Sequence, residues 1–215
     1  MTRLDIISDP ICPWCYIGKA RLDKALAKFP ENPFELHWQP FQLNPEMPRE
    51  GMDRREYLEW KFGGKKGAIE VYSEIAKTAE EEGIEIAFEK ITRTPNTLDA
   101  HRLIHWAGLE GVQTEVVTEL FNRFFRQGQD ISDREVLTDI ARSTGMDPEA
   151  TARLLASDAD LMETRAADAK AREMGVRGVP TFIIANEAVV TGAQPASLWE
   201  EIVGEILAAQ TGGQT

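Results

Sequence analysis

The 215-residue chain carries its only two cysteines in one short stretch, Asp9-Pro10-Ile11-Cys12-Pro13-Trp14-Cys15-Tyr16, written DPICPWCY. Cys-X-X-Cys spacing in the first turn of a helix places the first sulfur beside unpaired backbone N–H groups and the positive end of the helix dipole, and both stabilise a thiolate. Pro13 suits a helix start, where its missing N–H costs little. The stretch therefore predicts a redox-active pair, with Cys12 as the nucleophile and Cys15 as the less exposed resolving thiol.

Two other interpretations of the cysteine pair stay open. Cys12 and Cys15 can form half of a zinc site, in which case the remaining ligands must be histidines such as His101 and His105, one turn apart on a predicted helix. Structural zinc sites usually take their ligands from short loops, so we predict no metal site here. The second interpretation is a pair of inert buried thiols, because free cysteine is often simply a small core residue.

The composition predicts a globular protein of one domain, or of a small domain that carries an insertion. Hydrophobic residues make up 42% of the chain, with five Trp and nine Phe, which is ample material for a core. The net charge of −12 argues against nucleic-acid partners, because these need clustered Lys and Arg.

The N-terminal sequence and the lengths of the apolar segments predict neither a secretory nor a membrane protein. The N-terminus MTRLDIISDP lacks the long apolar run of a signal peptide, and no segment reaches the roughly 18 apolar residues of a membrane span. We therefore expect a cytoplasmic protein, in which thiols are kept reduced and a lone cysteine pair performs chemistry. The final residues TGGQT, 211–215, predict a frayed tail.

Hydrophobic periodicity predicts one sheet in two separated halves. Residues 2–8 and 34–39 have strand patterns, and a helical pattern from Pro13 to about Phe29 lies between them, which makes a βαβ unit with parallel strands. Helical patterns then fill more than a hundred residues. Strands return at 181–185 and 188–191 as a hairpin around Asn186-Glu187, followed by a last amphipathic helix. We predict a sheet domain from residues 1–50 and 176–215, and a helical insertion from 51–175.

Several local signals carry predictions of their own. Ser132 and Glu135 fit a capping box, and Asp147-Pro148 fits an N-cap followed by proline at the first helical position. His37 lies on a strand among apolar neighbours and is predicted to be structural. Four tryptophans are predicted to anchor the core: Trp38, Trp60, Trp106 and Trp199.

The chain resembles the DsbA-like branch of the thioredoxin superfamily, most specifically its cytoplasmic FrnE-like group. The similarity lies in the opening DPICPWCYIG, the FQLNP loop at 41–45, the PNTLDAHRL segment at 95–103, the strand entry GVRGVPTF at 175–182 and the GAQP turn at 192–195. These motifs span almost the whole chain. A CxxC alone is a weak signal, whereas CPWC followed at this separation by VPT is a strong one.

The resemblance implies an α/β thioredoxin fold with an all-helical insertion domain. It also implies a cis peptide bond between Val179 and Pro180, packed against the cysteines, with Pro180 part of the catalytic site. Val179, Pro13 and Trp14 would contact the substrate, and the Val179 backbone would pair with an extended segment. For Trp14 the alternative is a surface ring packed on the insertion. The implied activity is thiol-disulfide exchange with protein or small-thiol substrates.

The sequence departs from the family pattern at the position six residues before the first cysteine. Many thioredoxin-like proteins have a buried acid there that assists proton transfer, and this chain has Ile6. Asp5 is adjacent but is predicted to face the other side of the strand. Asp9 is a candidate proton relay, and its alternative is an ordinary turn residue before Pro10.

The PNTLDAHRL segment has two interpretations. Asn96 and Thr97 fit a helix cap. By resemblance they also fit, together with Arg102, a cleft facing the cysteines that holds a small acidic ligand such as glutathione. Glutathione would then be a co-substrate, and no other cofactor is expected beyond the Cys12–Cys15 disulfide.

Two further functions stay open at this point. One is a glutathione-dependent enzyme resembling 2-hydroxychromene-2-carboxylate isomerase or kappa-class glutathione transferase, whose members carry a serine in place of Cys12. The other is a stress-response protein that binds soft metal ions through Cys12 and Cys15. The expected partners are a disulfide-containing protein, glutathione or a small molecule, and the exposed insertion predicts a homodimer.

Overall fold

Four strands form the central sheet of the computed structural model, which describes residues 1–212. The sheet has the order β2-β1-β5-β6, and a separate two-stranded ladder pairs β3 with β4. The strands are β1 (Thr2–Ser8), β2 (Phe34–Pro40), β3 (Met52–Asp53), β4 (Arg93–Thr94), β5 (Thr181–Ile184) and β6 (Ala188–Thr191).

Nine α-helices accompany these strands within residues 1–212. They are α1 (Pro13–Leu26), α2 (Arg54–Lys61), α3 (Lys65–Glu81), α4 (Leu98–Glu110), α5 (Gln113–Phe121), α6 (Arg134–Ser143), α7 (Pro148–Leu155), α8 (Leu161–Glu173) and α9 (Ala196–Gly212). A short 3₁₀ turn covers Phe88–Lys90, and a π-helical turn covers Asn122–Arg126.

Strand β1 is the centre of the sheet and fixes its register. It runs parallel to β2, with Ile6 opposite Trp38, and antiparallel to β5, with Ile6 opposite Phe182. The predicted βαβ unit and the C-terminal hairpin are therefore confirmed, and together they give the thioredoxin fold that the sequence predicts. Strand β1 leads into the Cys12 segment, and the Val179–Pro180 segment leads into β5. Because β1 and β5 are neighbours, these two segments lie close together although more than 160 residues separate them in sequence.

The two faces of the sheet are covered by different parts of the chain. Leu4 and Ile6 point into the main core, where Trp199 of α9 packs edge-on against Phe182 with ring centroids 4.7 Å apart. Ile7 points to the opposite face and packs with Phe41 and Ala171 of α8. This alternation follows from the two-residue period of a strand.

The predicted insertion is helical apart from the short β3–β4 ladder. One hydrophobic cluster continues from the sheet into α4 and α5, and α8 packs against β2 although it lies inside the range 51–175. The boundaries at residues 50 and 175 stay a prediction. No helix within residues 1–212 is long and apolar enough to cross a membrane.

Four local predictions differ from the structure. Trp60 is exposed rather than in the core. Asp133, not Ser132, caps α6, because Asp130 accepts both the N–H and the hydroxyl of Ser132. Helix α1 ends at Leu26, three residues before the predicted end. Helix α9 continues to Gly212, so the predicted frayed tail is helical at its start, and its last three residues lie outside the described residues.

The predicted N-cap at Asp147 is confirmed. Its carboxylate accepts hydrogen bonds from the backbone N–H groups of Glu149 and Ala150, and Pro148 begins α7.

We expect Gly18→Ala to destabilise the protein by roughly 1–3 kcal/mol, the usual cost of overpacking a core. A Cβ at this position would lie 3.0 Å from Cγ of Pro180 and 3.5 Å from Cα of Ala193, so helix α1 and the proline cannot keep their present distance. The matched control is Gly204→Ala in α9, where the Cβ meets open space and alanine is expected to gain up to about 1 kcal/mol. Urea denaturation measures both. Equal stabilisation by the two alanines would contradict this packing argument.

Candidate active site at the cysteine pair

Cys12 occupies the N-cap of α1 and faces the Val179–Pro180 segment. Both cysteines are free thiols, and Pro13 is the first residue of the helix. The Cys12 thiol donates a hydrogen bond to the Val179 carbonyl at 3.6 Å, and the Val179–Pro180 peptide bond is cis. The structure therefore brings together Cys12, Cys15, Pro13, Val179 and Pro180 as the sequence expected.

Cys15 lies deeper than Cys12, with 1% of its surface exposed. Burial raises the pKa of the Cys15 thiol well above its usual value, and the adjacent Cys12 sulfur raises it further. The Ser8 hydroxyl and the Asp9 backbone N–H can donate hydrogen bonds to a Cys15 thiolate, and this acts on the pKa in the opposite direction. Because burial is the largest of these effects, Cys15 is a protonated thiol beside Cys12.

Asp9 is fully buried and connects three parts of the chain. Its carboxylate accepts the Leu43 N–H at 2.7 Å and, more weakly, the Ile11 N–H at 3.5 Å. The same carboxylate lies 3.7 Å from Nε2 of His101. Asp9 is thus more than an ordinary turn residue, and its part in proton transfer stays a prediction, because its backbone N–H rather than its carboxylate reaches Cys15.

A polar cluster that no sequence pattern predicted lies on α2 and faces the cysteines. Lys61 donates hydrogen bonds to the Tyr57 hydroxyl at 2.7 Å and to Asn44 Oδ1 at 3.3 Å, and Tyr57 donates to Asn44 Oδ1 at 3.0 Å. Burial lowers the pKa of Lys61, against the opposing charges of Asp9 and Cys12. Burial raises the pKa of Tyr57 to about 12. Lys61 is therefore a desolvated cation whose field reaches Cys12.

Arg54 is a second cation on the same side of the insertion. It is buried, donates to the Tyr72 hydroxyl at 2.6 Å and to Thr94 Oγ1 at 3.3 Å, and lies over the Tyr72 ring at 5.2 Å. Within residues 1–212 no carboxylate forms an ion pair with it. Only the position of Asn44 in the FQLNP motif hinted at this cluster; nothing in the sequence marks Lys61 or Arg54.

The segment at 96–102 does not form the predicted acidic-ligand cleft. Asn96 donates to the Met47 carbonyl and accepts the Leu98 N–H, whereas the buried Thr97 makes no side-chain capping bond. The cap prediction is therefore confirmed for Asn96 alone.

Arg102 is committed to the connection between α7 and α8, so the prediction that it holds a ligand is wrong. Its guanidinium is 1% exposed, donates to the Leu154, Ser157 and Ala159 carbonyls at 2.8–2.9 Å, and pairs with Asp99 at 2.7 Å. Four of its five N–H donors are occupied in structural roles, and the group is buried away from the cysteine pair's solvent side.

Trp14 is half-buried and packs against the α1–α3 contact formed by Ile17, Ile75 and Ala79. This is the geometry of a ring that joins the sheet domain to the insertion. Its predicted contact with substrate stays a prediction.

An apolar groove of about 590 Å³ begins at Val179 and Pro180, beside Cys12. Its walls include Val176, Ile183 and two large apolar side chains that are more than half exposed, Met174 and Val189. The groove offers an extended surface next to the more accessible thiol.

No three His, Cys, Asp or Glu side chains within residues 1–212 lie close enough to hold a metal ion. His101 is buried beside Asp9, whereas His105 is exposed one turn further along α4. The four-ligand zinc arrangement considered above is not assembled by these residues.

Comparisons with known proteins show the family of the chain. A family model described as a DSBA-like thioredoxin domain matches residues 3–203. A crystal structure of a probable DsbA oxidoreductase from Streptomyces coelicolor is 30% identical, with a TM-score of 0.84 over 97% of this chain and 91% of that chain. The uncharacterized protein YwbO of Bacillus subtilis is 28% identical over 94% of this chain and 96% of its own length.

A more distant structure shares the fold. The cytosolic disulfide reductase DsbM from Pseudomonas aeruginosa is 19% identical, with a TM-score of 0.70 over 96% of this chain and 99% of that chain, and it has also been solved with GSH.

The raised pKa of Cys15 predicts that the reduced protein loses stability above about pH 8.5, the usual pKa of a thiol in an unfolded chain. As the pH rises, the unfolded state gives up the Cys15 proton first, so unfolding becomes more favourable by up to about 1.4 kcal/mol per pH unit. Urea denaturation of the reduced protein at about pH 7.5 and 9.5 should show this loss in wild type and a smaller one in Cys15→Ala. Equal losses in the two proteins would contradict the assignment of a buried, protonated Cys15.

Proposed function

The chain belongs to the DSBA-like thioredoxin domain family, and on that premise we propose that it is a thiol-disulfide oxidoreductase. The observation that carries the proposal is the asymmetry of the pair. Cys12 begins a helix and donates to the carbonyl of Val179, where the apolar groove begins, while Cys15 is held as a more deeply buried thiol within reach of Cys12.

The proposed cycle begins when the Cys12 thiolate attacks a substrate disulfide, forms a mixed disulfide and releases the first substrate thiolate. Cys15 then loses its proton and attacks the Cys12 sulfur, which releases the second substrate thiolate and leaves the Cys12–Cys15 disulfide. The substrate gains two electrons and the protein pair loses two. The reverse sequence oxidises a dithiol, and the reduction potential of the pair decides the direction.

We place substrate binding at the groove that begins at Val179. An extended peptide or a small disulfide can lie along its apolar wall at Val179 and Pro180 and present its sulfur to Cys12. Pro13 and Trp14, which follow Cys12 directly, stay candidates for substrate contact. Since Pro180 has no backbone N–H, it can pack against the sulfurs without competing for a hydrogen bond.

Glutathione is the small-thiol substrate that the electrostatics favour. Lys61 and Arg54 supply positive charge on the cysteine side of the insertion, and glutathione carries two carboxylates. We therefore propose Lys61 and Arg54 as the cationic groups for glutathione, in place of the predicted site at Asn96, Thr97 and Arg102. The soft-metal hypothesis retains only two sulfurs as ligands among the described residues. The isomerase hypothesis has to work with a thiol in place of the serine of those enzymes.

A Cys15→Ser variant is expected to stop at the mixed disulfide when it is treated with oxidised glutathione. Cys12 can still attack, but no resolving thiol remains, so intact-mass spectrometry should show one added glutathione, removable by dithiothreitol. Wild type should instead lose two hydrogens, and Cys12→Ser should react slowly because Cys15 is buried. Equal labelling of both variants would remove the distinction between nucleophile and resolving thiol. Binding of reduced glutathione without any exchange in wild type would favour the isomerase hypothesis.

Lys61→Met should slow the attack of Cys12 by roughly 3- to 10-fold, because it removes a partly desolvated cation whose field stabilises the thiolate. The measurement is the rate of iodoacetamide alkylation at neutral pH in a Cys15→Ser background. Lys66→Met is the matched control, since Lys66 lies nearby on α3 but is 91% exposed in its side chain. If the two methionine variants react at the same rate, the local charge of Lys61 has no part in activating Cys12.

A further inference from the structure

The proposed cycle requires a proton to leave an atom that has almost no contact with solvent. Cys15 is 1% exposed and is held as a thiol by burial, yet it must become a thiolate before it can attack the mixed disulfide. Many thioredoxin-like proteins use an acid at the position of Ile6, which cannot accept a proton here. Another route out of the core is needed.

Next to Ser8, on β1, the structure contains a small cavity of about 10 Å³. A space of this size holds about one water molecule, provided that polar partners line it. Ser8 and His101 both line it, and the Ser8 hydroxyl also reaches the Cys15 sulfur. The Ser8 hydroxyl thus lies between the cavity and the Cys15 thiol, which must lose its proton.

His101 lines this cavity, and one of its ring nitrogens has no hydrogen-bond partner among residues 1–212. The residue is 3% exposed, and its Nε2 makes no hydrogen bond to any of residues 1–212. A buried polar atom without a partner is costly, so an unpaired imidazole nitrogen beside a water-sized space that a serine also borders points to a bound water. The Asp9 carboxylate, 3.7 Å from Nε2, is placed to stabilise an imidazolium.

His101 also borders open solvent on its other side. It lines a groove of about 760 Å³ between strand β2 and helices α4, α5 and α8. Trp38, Gln39 and Ile104 border both spaces as well, so only one layer of side chains separates the small cavity from the groove. His101 is the titratable member of that layer.

We propose that Ser8, one water molecule in the small cavity and His101 form the path by which the Cys15 proton reaches solvent. Its use in catalysis rests on the disulfide-exchange function proposed above. Ser8 contacts the reacting sulfur, His101 is the proton acceptor, and Asp9 positions and stabilises the charged imidazole. This assigns a role to a histidine of the insertion that the sequence offered only as a zinc ligand.

The proton and electron balance of the step is complete. The Cys15 thiol gives its proton to Ser8 Oγ as the Ser8 proton passes to the water, and the water passes a proton to His101 Nε2. The Cys15 sulfur attacks the Cys12 sulfur, the Cys15–Cys12 bond forms, and the bond to the substrate sulfur breaks. The substrate leaves as a thiolate with the electron pair, and His101 releases its proton into the groove.

The charged and titratable groups around His101 come from the segment before α1 and from β2, α4, α5 and α8, which line the groove. Asp9 is the nearest of them, and a His37–Glu35 pair on β2 has its side-chain atoms 3.1 Å apart in the same groove. The remaining titratable residues that line the groove are His105 of α4, Glu115 of α5 and Glu163 of α8. His105 is exposed on the same helix and therefore serves as a matched control.

The test uses 5,5′-dithiobis(2-nitrobenzoate), whose coloured thiolate is released once when Cys12 attacks and again when Cys15 resolves. We compare wild type, His101→Gln, Ser8→Ala, the double variant and His105→Gln across a range of pH. The first phase should be unchanged in all of them. The second phase should slow at least about tenfold in His101→Gln and Ser8→Ala, with a changed pH profile, and the double variant should be no slower than the slower single variant. His105→Gln should match wild type.

Other outcomes overturn the proposed proton path. A second phase with the wild-type rate and pH profile in His101→Gln removes the histidine from the path, and so does equal slowing in His101→Gln and His105→Gln. If His101→Gln does not fold by circular dichroism, Ser8→Ala decides, because a wild-type second phase in that variant breaks the path at its first member. Absence of the first phase in wild type is a different result, since it refutes the disulfide-exchange function itself.

Discussion

The buried carboxylate of Asp9 is the constraint on which the rest of the site depends. A carboxylate with no exposed surface is stable only when hydrogen bonds replace its water, and the Leu43 N–H supplies the shortest of these at 2.7 Å. The loop after β2 must therefore lie against the segment that leads into Cys12. That loop is in turn held by α8, where Asp168 accepts the Gln42 N–H at 2.7 Å and Arg172 lies over the Phe41 ring at 4.1 Å. One buried charge thus connects the sheet, the loop and the cysteine helix.

The same loop ties the insertion to the cysteines. Asn44 follows Leu43 directly and accepts hydrogen bonds from Tyr57 and Lys61 of α2. The position of Lys61 relative to Cys12 is therefore set through two residues of one short loop rather than by the packing of α2 alone. On the opposite side, the absence of a side chain at Gly18 lets Pro180 approach α1. The geometry of the thiols comes from the sheet and α1, while the charge around them comes from the insertion.

The sequence was sufficient to predict the structure wherever hydrophobic periodicity or a fixed local geometry decides it. The alternation in β1, the hairpin at 181–191 and the Asp147 cap depend on neighbours within a few residues, so the pattern predicts them. Trp60 shows the limit, because an aromatic residue on a helix as short as α2 has no periodic pattern long enough to reveal that its side chain faces solvent. Ser132 and Asp133 are adjacent residues that can both cap a helix, and the choice between them is made by Asp130.

The roles of the charged residues of the site could not be predicted from the sequence, for a different reason. Arg102 has the residue type and position of a ligand-binding group, yet carbonyl groups more than 50 residues away occupy its guanidinium. Arg54 and Lys61 look like ordinary surface residues of a polar helix, and only tertiary folding removes them from water. Because desolvation, not residue type, makes a cation effective near a thiolate, the residues that tune the pair become identifiable only when their burial is known. The chemistry of CPWC can be predicted from two cysteines; its proton and charge environment is a property of the whole fold.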